Sequence, residues 1–209
     1  MLSGIGTVGG AAAVLVAAIL GRNAFATYRQ QKLLERQIEH ADSALTSAYK
    51  LNMALSAIRS PMSTAADLAE SEQALDQENL ARMTDDRKRL MIQANVFFTR
   101  ANKFAGDFDE AIKSLPFVKA YLGNLAFDAL SNIIRAKQTV LVYANAYSDD
   151  RGNNPDFRRK IEEYIWEGFG DHGDEPGGDP IQKTVNEAIA TLEQIALPIL
   201  RLEAPPSGP

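Results

Sequence analysis

The sequence predicts an all-α protein, in which an N-terminal transmembrane helix continues into a soluble antiparallel bundle of about four to six helices. Residues 1–21 contain no charged side chain, and most of them are apolar. Downstream, apolar residues recur at three- and four-residue steps, the spacing that gives a helix one buried face. No segment alternates apolar and polar residues with the period of a β-strand, so we expect essentially no sheet.

Composition limits the classes of function. The chain of 209 residues is long enough for an anchor at 1–21, a helical domain at 22–203 and a flexible tail at 204–209. Its net charge of −5 argues against nucleic acid as a partner, because phosphate binding needs a basic surface. The absence of cysteine excludes disulfides, thiol catalysis and cysteine-bound zinc.

The N-terminal segment has the length of a membrane span. Residues 9–20 read GGAAAVLVAAIL, and about 20 helical residues cross a hydrocarbon core of ~30 Å. A buried core helix is one alternative interpretation. A cleaved signal peptide is another, since Ala24-Phe25-Ala26 has the small-x-small form that signal peptidase recognises. No basic residue precedes the apolar run and Arg22 follows it, which favours an uncleaved anchor.

Basic residues flank the span on one side only, at Arg22, Arg29, Lys32 and Arg36. The positive-inside rule therefore predicts an external N-terminus and a cytoplasmic domain. The same side chains can contact anionic lipid head groups.

Small residues within the span predict that two helices pack closely in the bilayer. They recur at steps of three and four residues, at Gly6, Gly10, Ala13 and Ala17. An anchor rich in alanine and glycine also produces this spacing by chance, so self-association and a monomer both remain open.

Prolines, glycines and capping residues predict the helix boundaries. The first helix should run from the span to Ser60-Pro61, because proline disfavours helical geometry at the preceding residue. Thr64 and Asp67 form a capping pattern for a short helix that ends near residue 77. The other predicted helices cover 79–105, 117–147, 156–168 and a last segment that begins at Asp179-Pro180.

Three residues each predict a local feature of a helix. Gly106 is expected to stop the 79–105 helix. Pro116 is expected in the first turn of the 117–147 helix, where proline is best tolerated. Pro198 is expected to kink the last helix.

The sequence offers few groups of residues that could form a catalytic or metal-binding site. The sequence contains no phosphate-binding glycine motif, no nucleophile elbow and no Glu-x-x-His pair for a di-iron site. His40 is expected to be an exposed polar residue. The acidic loop 170–180, GDHGDEPGGDP, suits either a hard cation such as Ca²⁺ or a plain solvated turn. We expect no catalytic residue, no cofactor and no metal site.

Aromatic residues concentrate around the junction of two predicted helices. They are Phe97, Phe98, Phe104, Phe108, Phe117, Tyr121 and Phe127. An aromatic corner of the core is one interpretation, and a groove for lipid or a hydrophobic peptide is the other. Trp166 likewise is either a core residue or an exposed anchor for a partner.

The segment 57–61, AIRSP, completes a pattern that is similar to a group of uncharacterised bacterial single-pass membrane proteins. The pattern comprises an uncharged N-terminal span, the basic continuation YRQQKLLERQIEHA, and a long helix that ends in the Ile-Arg-Ser-Pro turn. It covers about the first 65 residues, together with the FFTRANKF segment. The resemblance implies a bacterial inner-membrane setting and assigns no functional residue.

These observations favour a non-enzymatic scaffold, held at the inner membrane, whose cytoplasmic helical domain binds another protein. The alternative is a membrane-perturbing or stress and defence effector that acts through a self-associating span. A third hypothesis is an enzyme with a site built from Asp and Glu, which predicts a polar pocket between the helices.

Overall fold

The computed structural model describes residues 4–149, 154–169 and 178–202, and for residues 4–24 it describes the backbone alone. Within these ranges the chain is all-α, with eight helices and no strand, which confirms the all-helical part of the predicted fold class. The helices are α1 (Gly4–Arg59), α2 (Ala65–Gln73), α3 (Gln77–Ala81), α4 (Asp85–Lys103), α5 (Ala105–Leu122), α6 (Asn124–Asp149), α7 (Pro155–Ile165) and α8 (Pro180–Leu200).

The chain divides into two compact units, Met1–Glu39 and His40–Pro209, and α1 contributes residues to both. In unit 1, every described side chain from Phe25 to Arg36 is exposed. The predicted anchor boundary at residues 21 and 22 stays a prediction, and the predicted tail, 204–209, lies outside the described residues.

The core of unit 2 forms around α6, which packs against α4, α5, α7 and α8. The apolar residues that recur in α1 at three- and four-residue steps are buried here at Ala41, Leu45, Ala48, Leu55 and Ile58, whereas Leu34 of the same predicted stripe is 43% exposed. Half of the buried apolar residues that the structure describes in α1 are alanine, at Ala41, Ala44, Ala48 and Ala54, and these small side chains let neighbouring helices approach closely. α1 and α8 run antiparallel, since Tyr49 bonds to Glu193 near the end of α8 and Asn52 accepts a hydrogen bond from Gln182 near its start.

The eight helices exceed the predicted four to six because two predicted helices are each split. The predicted 79–105 helix becomes α3 and α4, since Thr84 adopts an extended conformation and caps α4 through the backbone amide of Arg87. The predicted 117–147 helix is interrupted at Gly123, whose φ of 91° ends α5.

The predictions for Gly106 and Pro116 are wrong. α4 ends at Lys103 and α5 begins at Ala105, so Gly106 lies inside a helix. Gly106 keeps a negative φ, and glycine stops a helix only where it adopts the left-handed conformation. Pro116 lies in the interior of α5, where it removes one backbone hydrogen bond.

Among the residues that the structure describes, no helix is both long and apolar enough to cross a membrane. The predicted span, 1–21, falls on residues whose side chains lie outside the described part of the chain. The same holds for its predicted packing positions, Gly6, Gly10, Ala13 and Ala17.

Candidate functional site

The predicted basic flank lies on the surface of unit 1. Arg29, Lys32 and Arg36 are all exposed on α1, whereas the side chain of Arg22 is outside the described part. Lys32 pairs with Glu35 at 2.7 Å, and this hydrogen bond and the Glu35 charge raise the pKa of Lys32. Further along, Arg36 pairs with Glu39 at 2.8 Å.

The structure describes only one of the two histidines, His40. His40 is half-buried rather than exposed, because its ring stacks on Phe117 at 5.3 Å and on Tyr121 at 4.7 Å between centroids. Both partners come from α5, so the residues next to His40 in the sequence gave no indication of this contact. His172 and most of the acidic loop, 170–177, lie outside the described residues.

Most of the aromatic cluster belongs to the core. Phe97 and Phe108 are fully buried, and Phe98 and Phe104 pack against the same core. The core interpretation also holds for Trp166, whose ring lies 4.8 Å from that of Phe97. In contrast, the Phe117 side chain is 52% exposed.

An open cleft of about 590 Å³ lies between α2 and α4. Its apolar surface comes from Ala65, Leu68, Ala69 and Ile92, and its polar lining comes from Glu72, Asp85, Lys88, Arg89 and Gln93. Leu68 is 36% exposed at this surface, so an apolar side chain is available to a ligand. The volume lies within the range typical of binding sites, roughly 300–1,000 Å³.

Charges of both signs surround the cleft. Lys88 and Glu72 form an ion pair of 2.6 Å between the two walls. Asp85 and Arg89 are exposed and have no ion-pair partner among the described residues. A ligand can therefore meet one unpaired anion and one unpaired cation beside the apolar surface.

Arg100 fixes the α2 wall. It is 7% exposed, and its guanidinium donates to the carbonyl oxygens of Ser60 at 2.8 Å and Met62 at 2.6 Å. It also pairs with Asp67 at 3.0 Å, and Asp67 closes the capping box with Thr64 as predicted. The hydrogen bond from Arg100 is the main reason why the pKa of Asp67 lies below its usual value.

Polar contacts hold the inner face of α2 to α4. The hydroxyl groups of Ser71 and Thr99 lie 3.1 Å apart in the interior, and Asn95 donates to the Ser71 carbonyl oxygen at 2.8 Å. At the edge, Lys103 pairs with Glu70 at 2.6 Å, and this bond raises the pKa of Lys103. These contacts keep α2 in place while its outer face stays open.

A second buried arginine joins three helices elsewhere in unit 2. Arg59, 1% exposed, pairs with Asp179 at 2.8 Å and donates to the carbonyl oxygens of Tyr164 at 3.1 Å and Trp166 at 2.9 Å. Asp179 also accepts from the backbone amides of Ile181 and Gln182, which caps α8. This arrangement joins the end of α1 to α7 and α8, and it leaves Asp179 committed to a structural role.

No family model, no curated protein and no solved structure matches the chain. Over the described ranges, no group of three histidine, aspartate or glutamate residues is placed to hold a metal ion. The cleft lining offers apolar surface, one amide and four charged groups. This chemistry suits the binding of an amphipathic ligand.

Proposed function

We propose that this chain is a membrane-anchored, non-enzymatic interaction protein. Residues 1–21 span the bacterial inner membrane as a single helix, and unit 2 lies in the cytoplasm. There the cleft between α2 and α4 binds an amphipathic helix of a partner protein. The single observation that carries the binding role is this cleft, whose apolar surface is open while its walls are fixed by buried contacts.

The shape and chemistry of the cleft favour a helix as the occupant. Its lining extends from Ala65 to Glu72 on one wall and from Asp85 to Gln93 on the other, about two helical turns each. Helix-in-groove recognition places apolar side chains at i, i+4 and i+7 into such a surface. The unpaired charges of Asp85 and Arg89 fit a partner helix that carries both signs beside its apolar face.

The charge distribution supports the membrane setting. No charged side chain precedes Arg22, and the first acidic residue of the chain is Glu35. By the positive-inside rule, an uncharged span that is followed only by basic residues keeps the end with the basic residues in the cytoplasm.

Replacing Leu68 with glutamate is expected to abolish partner binding and to leave unit 2 folded. Leu68 is partly exposed in the cleft. The carboxylate of the introduced glutamate would therefore contact water in the free protein, but in the complex it would lie against the apolar face of the bound helix. Binding can be followed in cells with a photo-crosslinking amino acid at position 92, beside Leu68. We expect one adduct, with an amphipathic helix of a second protein, that disappears in the Leu68→Glu variant.

Leu125→Glu is the matched control, because Leu125 is a 69% exposed leucine on α6, outside the cleft. The adduct should survive in this variant. An adduct that persists in Leu68→Glu, or no adduct at all, would refute the cleft as a binding site. If the only adducts join two copies of this chain, the cleft binds a second copy of the chain and not a helix of a partner protein.

A further inference from the structure

The basic residues beyond the predicted span follow a single face of α1. Arg22, Phe25, Arg29, Lys32 and Arg36 succeed one another at steps of three, four, three and four residues. At 3.6 residues per turn these steps place them on one stripe of the helix, called here the basic stripe. They include every Lys and Arg before Lys50.

The stripe also carries exposed aromatic surface. Phe25 is 63% exposed, and Tyr28, beside it on the helix, is 57% exposed. By the same helical geometry, Thr27, Gln30 and Leu34 occupy the opposite face, which has no basic residue. Aromatic side chains of this kind are enriched where protein meets the interface of a membrane with water.

A topology signal alone does not require this arrangement. The positive-inside rule counts basic residues near a span, and it is indifferent to the face on which they lie. Four basic residues on one face beside exposed rings instead suit a flat, negatively charged surface. The ion pairs of Lys32 and Arg36 do not compete strongly, because both are exposed pairs between neighbouring helix turns.

We infer that the basic stripe of α1 binds the anionic head groups of the membrane surface, with Phe25 and Tyr28 entering the interface. This inference rests on the proposed membrane setting of the N-terminal segment, and it names the lipid class that the adjoining segment recognises. Acidic phospholipids supply negative charge opposite the basic stripe, and the attraction decreases within a Debye length of the surface.

The absence of cysteine allows a test that resolves the two faces of the helix. Single-cysteine variants of the full-length chain carry a fluorescent label in two matched pairs, Phe25→Cys with Thr27→Cys and Tyr28→Cys with Gln30→Cys. The members of each pair lie about 3 Å apart along the axis but on opposite faces. Each variant is reconstituted in vesicles of phosphatidylcholine and phosphatidylglycerol that contain a head-group spin-labelled lipid as quencher.

We expect the labels at positions 25 and 28 to be quenched about twofold more strongly than those at 27 and 30. The contrast should disappear in phosphatidylcholine alone, in high salt, and when Arg29, Lys32 and Arg36 are all replaced by glutamine. Equal quenching within each pair, or a contrast that persists under all three conditions, overturns the inference.

A label at Ala13→Cys separates this inference from the proposed anchor, because acyl-chain spin labels quench it only if the segment enters the bilayer. If acyl-chain spin labels quench the label at position 13 while quenching is equal within each pair between positions 25 and 30, the anchor is retained and the lipid-binding stripe is rejected. Lack of quenching at position 13 with the face contrast intact would reject the anchor and retain the stripe.

Discussion

Replacing Arg59 with leucine is expected to lower the free energy of unfolding by about 3–5 kcal/mol, because one partner of a buried ion pair is removed. The substitution leaves Asp179, whose side chain is 8% exposed, without its guanidinium partner. It also leaves the carbonyl oxygens of Tyr164 and Trp166 without a donor. Thermal unfolding of the detergent-solubilised full chain, followed by circular dichroism, should show a fall in Tm on the order of 10 °C.

Arg82→Leu provides the control, since Arg82 pairs with Glu78 where the two side chains are 71% and 77% exposed. Its cost should be below about 1 kcal/mol. Asp179→Asn preserves the acceptor that caps α8 but removes the charge, so it should destabilise the protein through the unpaired Arg59. If Arg59→Leu costs no more than Arg82→Leu, the buried pair does not hold the junction of α1, α7 and α8.

Replacing Arg100 with glutamine is expected to cost about 2–4 kcal/mol and to weaken the pH dependence of stability in acid. The pKa of Asp67 lies below its ordinary 3.8, first because of the hydrogen bond from Arg100 and then because of the backbone amide of Thr64. A carboxyl group whose pKa is lower in the folded state stabilises the protein above its unfolded pKa. That contribution is lost as the pH falls through the folded value.

Urea unfolding between about pH 6 and pH 2 measures this effect. The unsubstituted protein should lose the contribution of Asp67 below about pH 4, and Arg100→Gln should lose less. Lys103→Gln is the matched control, because Lys103 lies 3.7 Å from Asp67 but is 47% exposed, so its removal should change the acid profile much less than Arg100→Gln does. Identical acid profiles for Arg100→Gln and the unsubstituted protein would show that Arg100 does not set the pKa of Asp67.

The sequence predicted the helices whose ends have their own local signals. Pro61 ends α1, Asn154 caps α7, and Asp179 caps α8, and each of these signals acts within a few residues of the boundary that it sets. Gly106 and Gly123 show where local signals are insufficient. Either glycine can adopt a positive φ, but only Gly123 does so, and the neighbouring residues gave no indication of which one it would be.

The candidate site was not predictable from the sequence, because its parts meet only in the folded chain. Residues 64–77 suggested a short helix with no clear apolar face, and its partner α4 follows later in the chain. Arg59 and Arg100 gave no sign of burial, since an arginine in a helix is ordinarily exposed. Their acceptors are backbone carbonyl groups and distant carboxylates, which have no signature in the neighbouring residues.

The position of Arg59 along the chain also constrains the order of synthesis and folding. Its carbonyl partner at Tyr164 is 105 residues downstream, a stretch that takes a ribosome ~5–20 s to translate. During this interval the guanidinium has neither Tyr164 nor Asp179 to bond to, and burial without them is costly. We therefore expect the end of α1 to stay hydrated until Asp179, the residue before α8, has been made, so this end of the bundle closes late in synthesis.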